Sequence, residues 1–466
     1  MRNRQLGMTE EDRVRARQRP LAQATLPIED TDALTPEAIA RRARMNGQNG
    51  HPSPATSQVN LIASPDTWIE GEALRQLEHT AALPGMRAAV GLPDLHPGKG
   101  YPIGAAFLAD RIYPALVGND IGCGMGLWQT DLAMRKFKPA RASERLTDLE
   151  GPWSGDLAHW RAEQGLVPTD FDASLGTIGG GNHFAELQTL AEVLDPDAVA
   201  ALNLDSDHLL LLVHSGSRGL GEAELRAVID AHGHQGLAPD SPAARDYLQA
   251  HDQAIHWAEA NRRLIARRLL DALNADGERR LDVWHNLVEP TDWAGETLRL
   301  HRKGAAPADR GPVVIPGSRG TLSYLVKPLI QSGHETSTTT DTSLRSLAHG
   351  AGRKWKRGDA RPRLSARQRP EDLRTTALDS QVICDDKELL YDEAPEAYKG
   401  IEQVVADLVA AGLCQIIATL RPVLTYKVRR ADRAGAIKGP SKARGAGKSK
   451  PNSEPKSKRK FKQARR

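Results

Sequence analysis

"NDIGCGMG" occupies positions 119–126 and carries one carboxylate and one thiol, Asp120 and Cys123, among glycines. A structural cysteine usually sits among apolar neighbours and behaves as a small hydrophobe. Here Gly122 and Gly124 flank it, and the spacing aims a carboxylate and a thiolate at one small volume, as a metal site needs. Four further stretches share this character: "GGGNHFAE" (179–186) presents Asn182, His183 and Glu186; "VHSGSRG" (213–219) presents His214; "VWHNLVE" (283–289) presents His285 and Asn286; "AHGAGRKWKR" (348–357) presents His349. Taken singly, each histidine has an ordinary reading as a hydrogen-bonded imidazole. Five such stretches in one chain point instead to a shared centre. Asp, Cys and three His can hold two divalent ions, with the thiolate as a natural bridge. A mixed N/O/S donor set suits Mn, Zn, Fe or Co over Mg or Ca.

Three Gly-flanked cationic turns accompany these stretches: "HPGKGYPIG" (96–104), "HRKGA" (301–305) and "PGSRG" (316–320), the last followed by Ser323. Such turns are either solvated loops or anion sites, where backbone N–H groups and a cation converge on phosphate. The sequence "GAGKS" (445–449) resembles the end of a P-loop, but Lys442 stands where its first glycine is required and no strand precedes it. No Lys-x-Asp-Gly stretch exists, so the lysine nucleophile of ATP-dependent nucleic-acid ligases is absent.

Positioning these groups requires rigid elements. "ALVGNDIGCG" (115–124), "HLLLLVHSGSRGLG" (208–221) and "GPVVIPGSRGTLSY" (311–324) read as strands running into polar loops. Residues 241–274 read as a long helix, with Ser241 as cap, Pro242 in the first turn and apolar residues at three- and four-residue steps. Residues 394–413 read as a second helix with Ile401, Val404, Val405, Leu408 and Val409 inward. Helices and strands mix without a regular βαβ alternation, which predicts an α+β fold. Residues 1–56 read as a polar extension, 57–428 as one large catalytic domain and 429–466 as a basic tail with almost no apolar pattern.

The chain has 466 residues and a formal net charge of +4. That balance hides an asymmetry. From Arg429 to Arg466 there are 15 Lys/Arg and two acids, a net of +13, so the remainder carries −9. A polycationic end fits contact with nucleic acid, the ribosome or an anionic surface. Cys123, Cys384 and Cys414 are too few for a disulfide framework, and the N-terminal twenty residues contain no apolar signal core. The longest aliphatic run, "LLLLV" at 209–213, is far too short to span a bilayer. A cytoplasmic protein with no membrane partner is expected.

The stretches "GLPDLHPGKGYPIG", "VGNDIGCGMG", "LGTIGGGNHFAE", "VHSGSRGLG", "HRKGA", "PGSRGTLSY", "HGAGR" and "EAPEAYK" follow one another in an order that resembles the RtcB-type RNA ligases, over roughly residues 57–428. The variants "GLPDLHPGKGYPIGAAF", "YPALVGNDIGCGMGLW" and "LRPVLTYK" resemble the subgroup found alongside a peptide-release-factor-like protein.

That resemblance implies an RNA-repair or tRNA-processing ligase. Such an enzyme joins an RNA 2′,3′-cyclic phosphate or 3′-phosphate end to a 5′-hydroxyl end, using GTP and two Mn2+ ions. Cys123 would bridge the metals, Asp120 and His183 completing one site and His214 and His285 the other. His349 would carry GMP. Asn182, His183, Phe184, Ala185, Glu186, His285, Asn286, Pro316, Gly317, Ser318, Arg319, Ser323, His349, Gly350, Ala351, Gly352 and Lys427 would cradle the guanylate. Arg218, Arg302 and Lys303 would meet RNA phosphate. The release-factor association points toward RNA of a stalled ribosome. Three departures stand out: Arg319 occupies a position where the family commonly has Met; the run after "HGAGR" departs from the usual one; and Val428 and a long basic tail follow Lys427, where family chains often end in Lys-Gly, so that Lys438 competes with Lys427 for that role although the "LRPVLTY" context favours Lys427. The alternatives are a metal-dependent RNA-end phosphohydrolase or 3′-end guanylyl-capping enzyme, and a non-enzymatic RNA- or ribosome-binding factor. A binder has no need of the full set Asp120, Cys123, His183, His214, His285 and His349.

Overall fold

A computed structural model describes residues 57–147, 149–329 and 342–429. The polar N-terminal extension and all of the basic tail beyond Arg429 lie outside the described residues.

In chain order the first seven strands are β1 (Gln58–Leu61), β2 (Met86–His96), β3 (Ile103–Ala109), β4 (Gly124–Ala133), β5 (Phe184–Val193), β6 (His208–Ser215) and β7 (Gly277–Trp284). They are followed by β8 (Asn286–Trp293), β9 (Glu296–Lys303), β10 (Ala305–Pro307), β11 (Val313–Ile315), β12 (Ser323–Pro328), β13 (Ser346–Ala348), β14 (Gln381–Cys384) and β15 (Cys414–Val428). Two larger sheets form. One has the order β1-β2-β3-β9-β8; the other has the order β11-β12-β15-β5-β6-β4-β7, with β14 also paired to β15. A short ladder joins β10 to β13. Neighbours are mostly antiparallel and the helices are irregularly interspersed, which is an α+β architecture.

Burial on both faces explains the nearly continuous apolar run of β6, whose Leu209 through Val213 are all fully enclosed. The long helix runs from Pro242 to Leu273, and the Ser241 hydroxyl accepts the Ala244 N–H. Its Leu264, Ile265, Leu269 and Leu273 turn inward, and Arg262, also fully buried, reaches across to Asp282 of β7. The Arg262 Nη1 donates to the carbonyls of Gly122 and Ser215, each at 2.8 Å, tying the helix to the loop that carries Cys123.

Two elements differ from the sequence reading. Residues 115–124 do not form a strand ending in a loop: a short turn at Pro114–Leu116 and an irregular segment lead into β4, which begins at Gly124. Pro114 starts that turn and Gly118 takes φ +98°, neither compatible with strand. The helix expected over 394–413 is confined to Ile401–Ala410, after a separate turn at Pro395–Ala397. Tyr398 is extended and the Lys399 ammonium is used to clamp the carbonyls of Pro93 and Leu95, so the chain cannot wind continuously. No helix among the described residues is long and apolar enough to cross a membrane.

Candidate active site

Four adjacent strands, in the order β5-β6-β4-β7, assemble the centre at one edge of the second sheet. His183 immediately precedes β5, His214 is the penultimate residue of β6, Cys123 immediately precedes β4 and His285 immediately follows β7. Antiparallel pairing brings these alternating starts and ends to the same edge. The register sets Phe184 and Met125 opposite His214, and the His285 N–H donates to the Cys123 carbonyl at 2.8 Å. Gly124 permits this approach: a Cβ there would lie 2.4 Å from the Val283 carbonyl oxygen.

The Cys123 Sγ lies 3.4 Å from His183 Nε2 and 3.2 Å from His214 Nε2, and His214 Nε2 lies 3.4 Å from His285 Nε2. Asp120 Oδ2 is 2.8 Å from His183 Nε2. Two triads result, Asp120–Cys123–His183 and Cys123–His214–His285, the donor atoms of each within 4.8 Å of one another and sharing the thiol. Burial, and then the neighbouring imidazoles, holds His214 and His285 well below the usual imidazole range, so both are neutral with lone pairs to offer. His214 Nδ1 donates to the Asn182 carbonyl at 3.2 Å, which fixes the tautomer that leaves Nε2 open toward Cys123. Burial and the Asp120 charge push the Cys123 thiol well up. Burial alone would raise the Asp120 carboxyl too, but His183, the Cys123 thiol and the Arg218 N–H together hold it below its ordinary value. Divalent cations invert this logic for the thiol, since a coordinating thiol is deprotonated. The donor set thus suits borderline divalent ions, and Cys123 is the residue that both triads share.

One contact belongs to a particular tautomer. Arg218 Nη1 lies 3.1 Å from His183 Nδ1, and a guanidinium only donates. Ligation through Nε2 requires the proton on Nδ1, so an ion there would displace Arg218 from the ring.

His349 follows β13 and stacks obliquely on His285, ring centroids 4.9 Å apart. Its Nδ1 is 2.6 Å from Asp94 Oδ2, and its backbone N–H donates to the same oxygen at 3.1 Å. Asp94 is fully buried on β2, its backbone clamped on both sides by Lys399. Gly352, with φ +71°, leaves room for this strand: a Cβ would lie 2.3 Å from the Asp94 carbonyl oxygen. His349 Nε2 has no hydrogen-bond partner among the described residues. Asp94 received no role from the sequence, although an acid inside the apolar run of "AAVGLPDL" was a visible signal.

The remaining predicted residues fall into connected groups. Glu186 is buried, which pushes its carboxyl up, and it accepts from Gln188 Nε2 at 2.7 Å and Thr425 Oγ1 at 2.5 Å. Gln188 also donates to Ser323 Oγ at 3.1 Å, and Ser323 Oγ accepts the Gly317 N–H at 3.4 Å. Pro316 through Arg319 form the turn between β11 and β12, closed by the Thr321 N–H to the Ser318 carbonyl. Gly350 passes beside Pro316 of that turn, Ala351 is buried, and Gly352 lies instead against Asp94. Phe184 sets its ring edge against His214, and Ala185 is buried beside it. Asn286 is fully engaged, donating to the Asp120 carbonyl at 3.0 Å and accepting the Gly304 N–H at 2.8 Å. Lys427 Nζ lies 3.4 Å from Glu393 Oε2. Gln188, Thr425 and Glu393 were not foreseen, because each acts through a partner distant in sequence.

The three cations assigned to RNA are placed differently from one another. Arg218 is half-buried beside His183. Lys303 is half-buried, bonded to the Ala115 carbonyl, and burial lowers its ammonium to about 8. Arg302 is fully enclosed, paired with Glu289 and bonded to Ser346 Oγ and the Arg345 carbonyl; its guanidinium braces β9 against β13.

Comparison with known proteins fits this geometry. The family profile described as "tRNA-splicing ligase RtcB" matches residues 76–151 and 154–428. The "RNA-splicing ligase RtcB2" of Escherichia coli is 48% identical, over 80% of this chain and 97% of that protein. The "RNA-splicing ligase RtcB" of Mycobacterium tuberculosis is 30% identical, over 75% of this chain and 99% of that protein. The "tRNA-splicing ligase RtcB" of Methanococcus maripaludis is 27% identical, over 77% of this chain and 92% of that protein. The matched span contains Asp120, Cys123, His183, His214, His285, His349 and Asp94 alike, and the chain belongs to the RtcB ligase family.

Proposed function

We propose that this protein is a GTP- and Mn2+-dependent RNA ligase that joins 2′,3′-cyclic phosphate or 3′-phosphate ends to 5′-hydroxyl ends through a His349–GMP intermediate. The observation that carries the reading is the fixed His349 ring: Asp94 holds Nδ1 at 2.6 Å, so Nε2 is the available nucleophilic nitrogen, beside a two-triad donor set. The metals, held by Asp120, Cys123, His183, His214 and His285, would neutralise phosphate charge and polarise phosphorus.

The chain's own residues then have defined work. The His349 Nε2 lone pair forms a bond to the α-phosphorus of GTP as the bond to pyrophosphate breaks. Asp94 stabilises the positive charge that develops on the ring. An oxygen of the RNA 3′-phosphate next displaces the imidazole, and the 5′-hydroxyl displaces GMP, its proton passing to solvent or base. A cyclic phosphate must first be opened by water.

Charge on the surface supports an RNA substrate. Between 353 and 369 the chain has eight Lys/Arg and one acid, Asp359, within a body that is acidic elsewhere. Lys354, Lys356, Arg357, Arg363 and Arg367 are exposed and have no carboxylate within ion-pair distance among the described residues. Arg363 lies over the Trp355 ring, 5.0 Å from its centroid. Arg357 reaches within 3.5 Å of Asn182 Oδ1, so this face begins at the rim of the candidate site. A polyanion laid on it would bring its end toward His349. Arg218, were a metal on His183 to free its guanidinium, would be a further hydrogen-bond donor to phosphate. A cytoplasmic setting, a functional link to a release-factor-like protein and repair of ribosomal or transfer RNA belong to this same reading.

Incubation with labelled GTP and Mn2+ should produce an acid-labile, alkali-stable adduct lost in His349→Ala, and the same preparation should join a cyclic-phosphate end to a 5′-hydroxyl end. An adduct without joining would favour the end-capping alternative. Label retained in His349→Ala would overturn the assignment of the nucleophile.

A further inference from the structure

Lys399 ends the stretch "EAPEAYK", and only 8% of the residue is exposed. Its hydrogen bonds go to two segments distant from each other in the chain. The ammonium donates to the Leu95 carbonyl at 2.6 Å and to the Pro93 carbonyl at 3.0 Å, on either side of Asp94. The backbone N–H donates to the Gly352 carbonyl at 3.0 Å, just beyond His349 in the same loop. The adjoining Tyr398 makes an antiparallel bridge with Arg353, next to Gly352. One residue thus grips both the strand that carries Asp94 and the loop that carries His349.

Bracing two carbonyls does not by itself need a cation, since an amide or a hydroxyl would donate as well. A buried ammonium is costly, and burial lowers this one to about 8, against the opposing pull of Asp94 and then Asp407. What a cation adds is charge, and Asp94 is where a charge has an effect. Asp94 is fully buried; its Oδ2 takes both the ring and the backbone N–H of His349, and its Oδ1 has no hydrogen-bond partner among the described residues. The other groups nearby do not supply a positive charge. His96, also on β2, is kept neutral by burial, which lowers it to about 3. Asp407, in the helix Ile401–Ala410, is engaged by the Thr67 hydroxyl, the Ser64 N–H and Gln403. No carboxylate lies within ion-pair distance of the Lys399 ammonium among the described residues, so its charge reaches Asp94 across the clamped backbone.

We infer that Lys399 is a positioning residue for the nucleophile: it locks the Asp94 strand to the His349 loop and sets a positive charge behind the carboxylate that holds the ring. A positive charge behind a buried carboxylate favours its ionised form. A protonated acid there would donate to Nδ1 and leave the ring proton on Nε2, which then has no lone pair to attack with. Lys399 acts on His349 through Asp94 and touches neither nucleotide nor RNA. The inference rests on the reading that His349 carries GMP.

The test measures the rate of His349 adduct formation at saturating GTP, and the GTP concentration giving half that rate. The proteins are the wild type, Lys399→Met, Lys399→Arg, Asp94→Asn and the double variant of Lys399→Met with Asp94→Asn. Lys399→Met should lower the saturating rate by about 10²-fold, the cost of a loosely held nucleophile, and leave the half-rate concentration and the bound metal unchanged. Lys399→Arg keeps the charge and the donors and should recover part of the rate. On the Asp94→Asn background, Lys399→Met should cost little more, because the two residues act as one unit. Additive losses overturn the assignment. So does a raised half-rate concentration at an unchanged saturating rate, which would place Lys399 on the nucleotide. If Lys399→Met does not fold, the pH profile of the saturating rate decides. The wild type should fall as pH rises through about 8, where the ammonium loses its proton, and Lys399→Arg should not. The same profile in both proteins overturns the assignment. No adduct in the wild type would instead overturn the GTP reading, and this assignment with it.

Discussion

Asp94 Oδ2 and His349 Nδ1 lie 2.6 Å apart although 255 residues separate them in the chain, and the same oxygen also takes the His349 backbone N–H. Backbone and ring are thereby fixed together. Asp94→Asn preserves the shape but can present an amide N–H to Nδ1, favouring the tautomer whose proton sits on Nε2. Adduct formation should fall by roughly 10²–10⁴-fold, the range spanned by positioned acid–base partners. Metal content, measured on the purified variant, should not change. A variant that labels at the wild-type rate would show that Asp94 is merely a structural acid.

Cys123 differs in kind from the other two cysteines. Cys384 and Cys414 are buried thiols that burial pushes up, Cys414 to about 12, so they behave as inert small hydrophobes. Only Cys123 is common to both donor triads. Elemental analysis should find metal largely lost from Cys123→Ala and retained in Cys384→Ala and Cys414→Ala, with joining activity following the metal. Equal metal in all three would make Cys123 structural.

The basic face after His349 should govern RNA affinity without governing nucleotidyl transfer. Replacing Lys354, Lys356, Arg363 and Arg367 with Gln should weaken binding of single-stranded RNA and flatten its salt dependence. The expected change in slope is roughly 0.7 per phosphate contact removed. Deleting residues 430–466 should flatten the slope further through loss of its basic charge. Adduct formation at His349 should survive both changes. A salt slope identical to wild type in the quadruple variant would assign these cations to solubility alone.

Glu150 predicts a pH dependence of stability. Burial pushes its carboxyl from 4.5 up to about 7, against the opposing pull of Tyr426, Arg218 and Arg268. Between those two values the folded protein keeps the proton and the unfolded chain does not, so unfolding releases it and stability falls as pH rises through that window. Glu150→Gln removes the penalty. Its melting temperature should match wild type near pH 4 and exceed it by a few degrees, roughly, at pH 8. Parallel melting curves for the two proteins across that range would exclude a buried, protonated Glu150.

Much of the chemistry was legible in local sequence. Asp120 and Cys123 between glycines, His214 at the end of "LLLLV" and His349 in "HGAG" announce themselves through residue type and immediate neighbours. The long helix was readable for the same reason: a Ser cap, a first-turn Pro and a 3.6-residue apolar period act within a few residues. What only the tertiary structure decided is which strands lie side by side and in what register. Cys123, His183, His214 and His285 meet because β5, β6, β4 and β7 are neighbours whose opposite ends coincide at one edge, and a slip of one residue would turn each side chain to the other face. Asp94 on β2 became the partner of His349, and Arg302 became an enclosed brace, through the same long-range pairing. Side-chain contacts across strands depend on loops and sheet order spanning hundreds of residues, and no spacing within a motif encodes them.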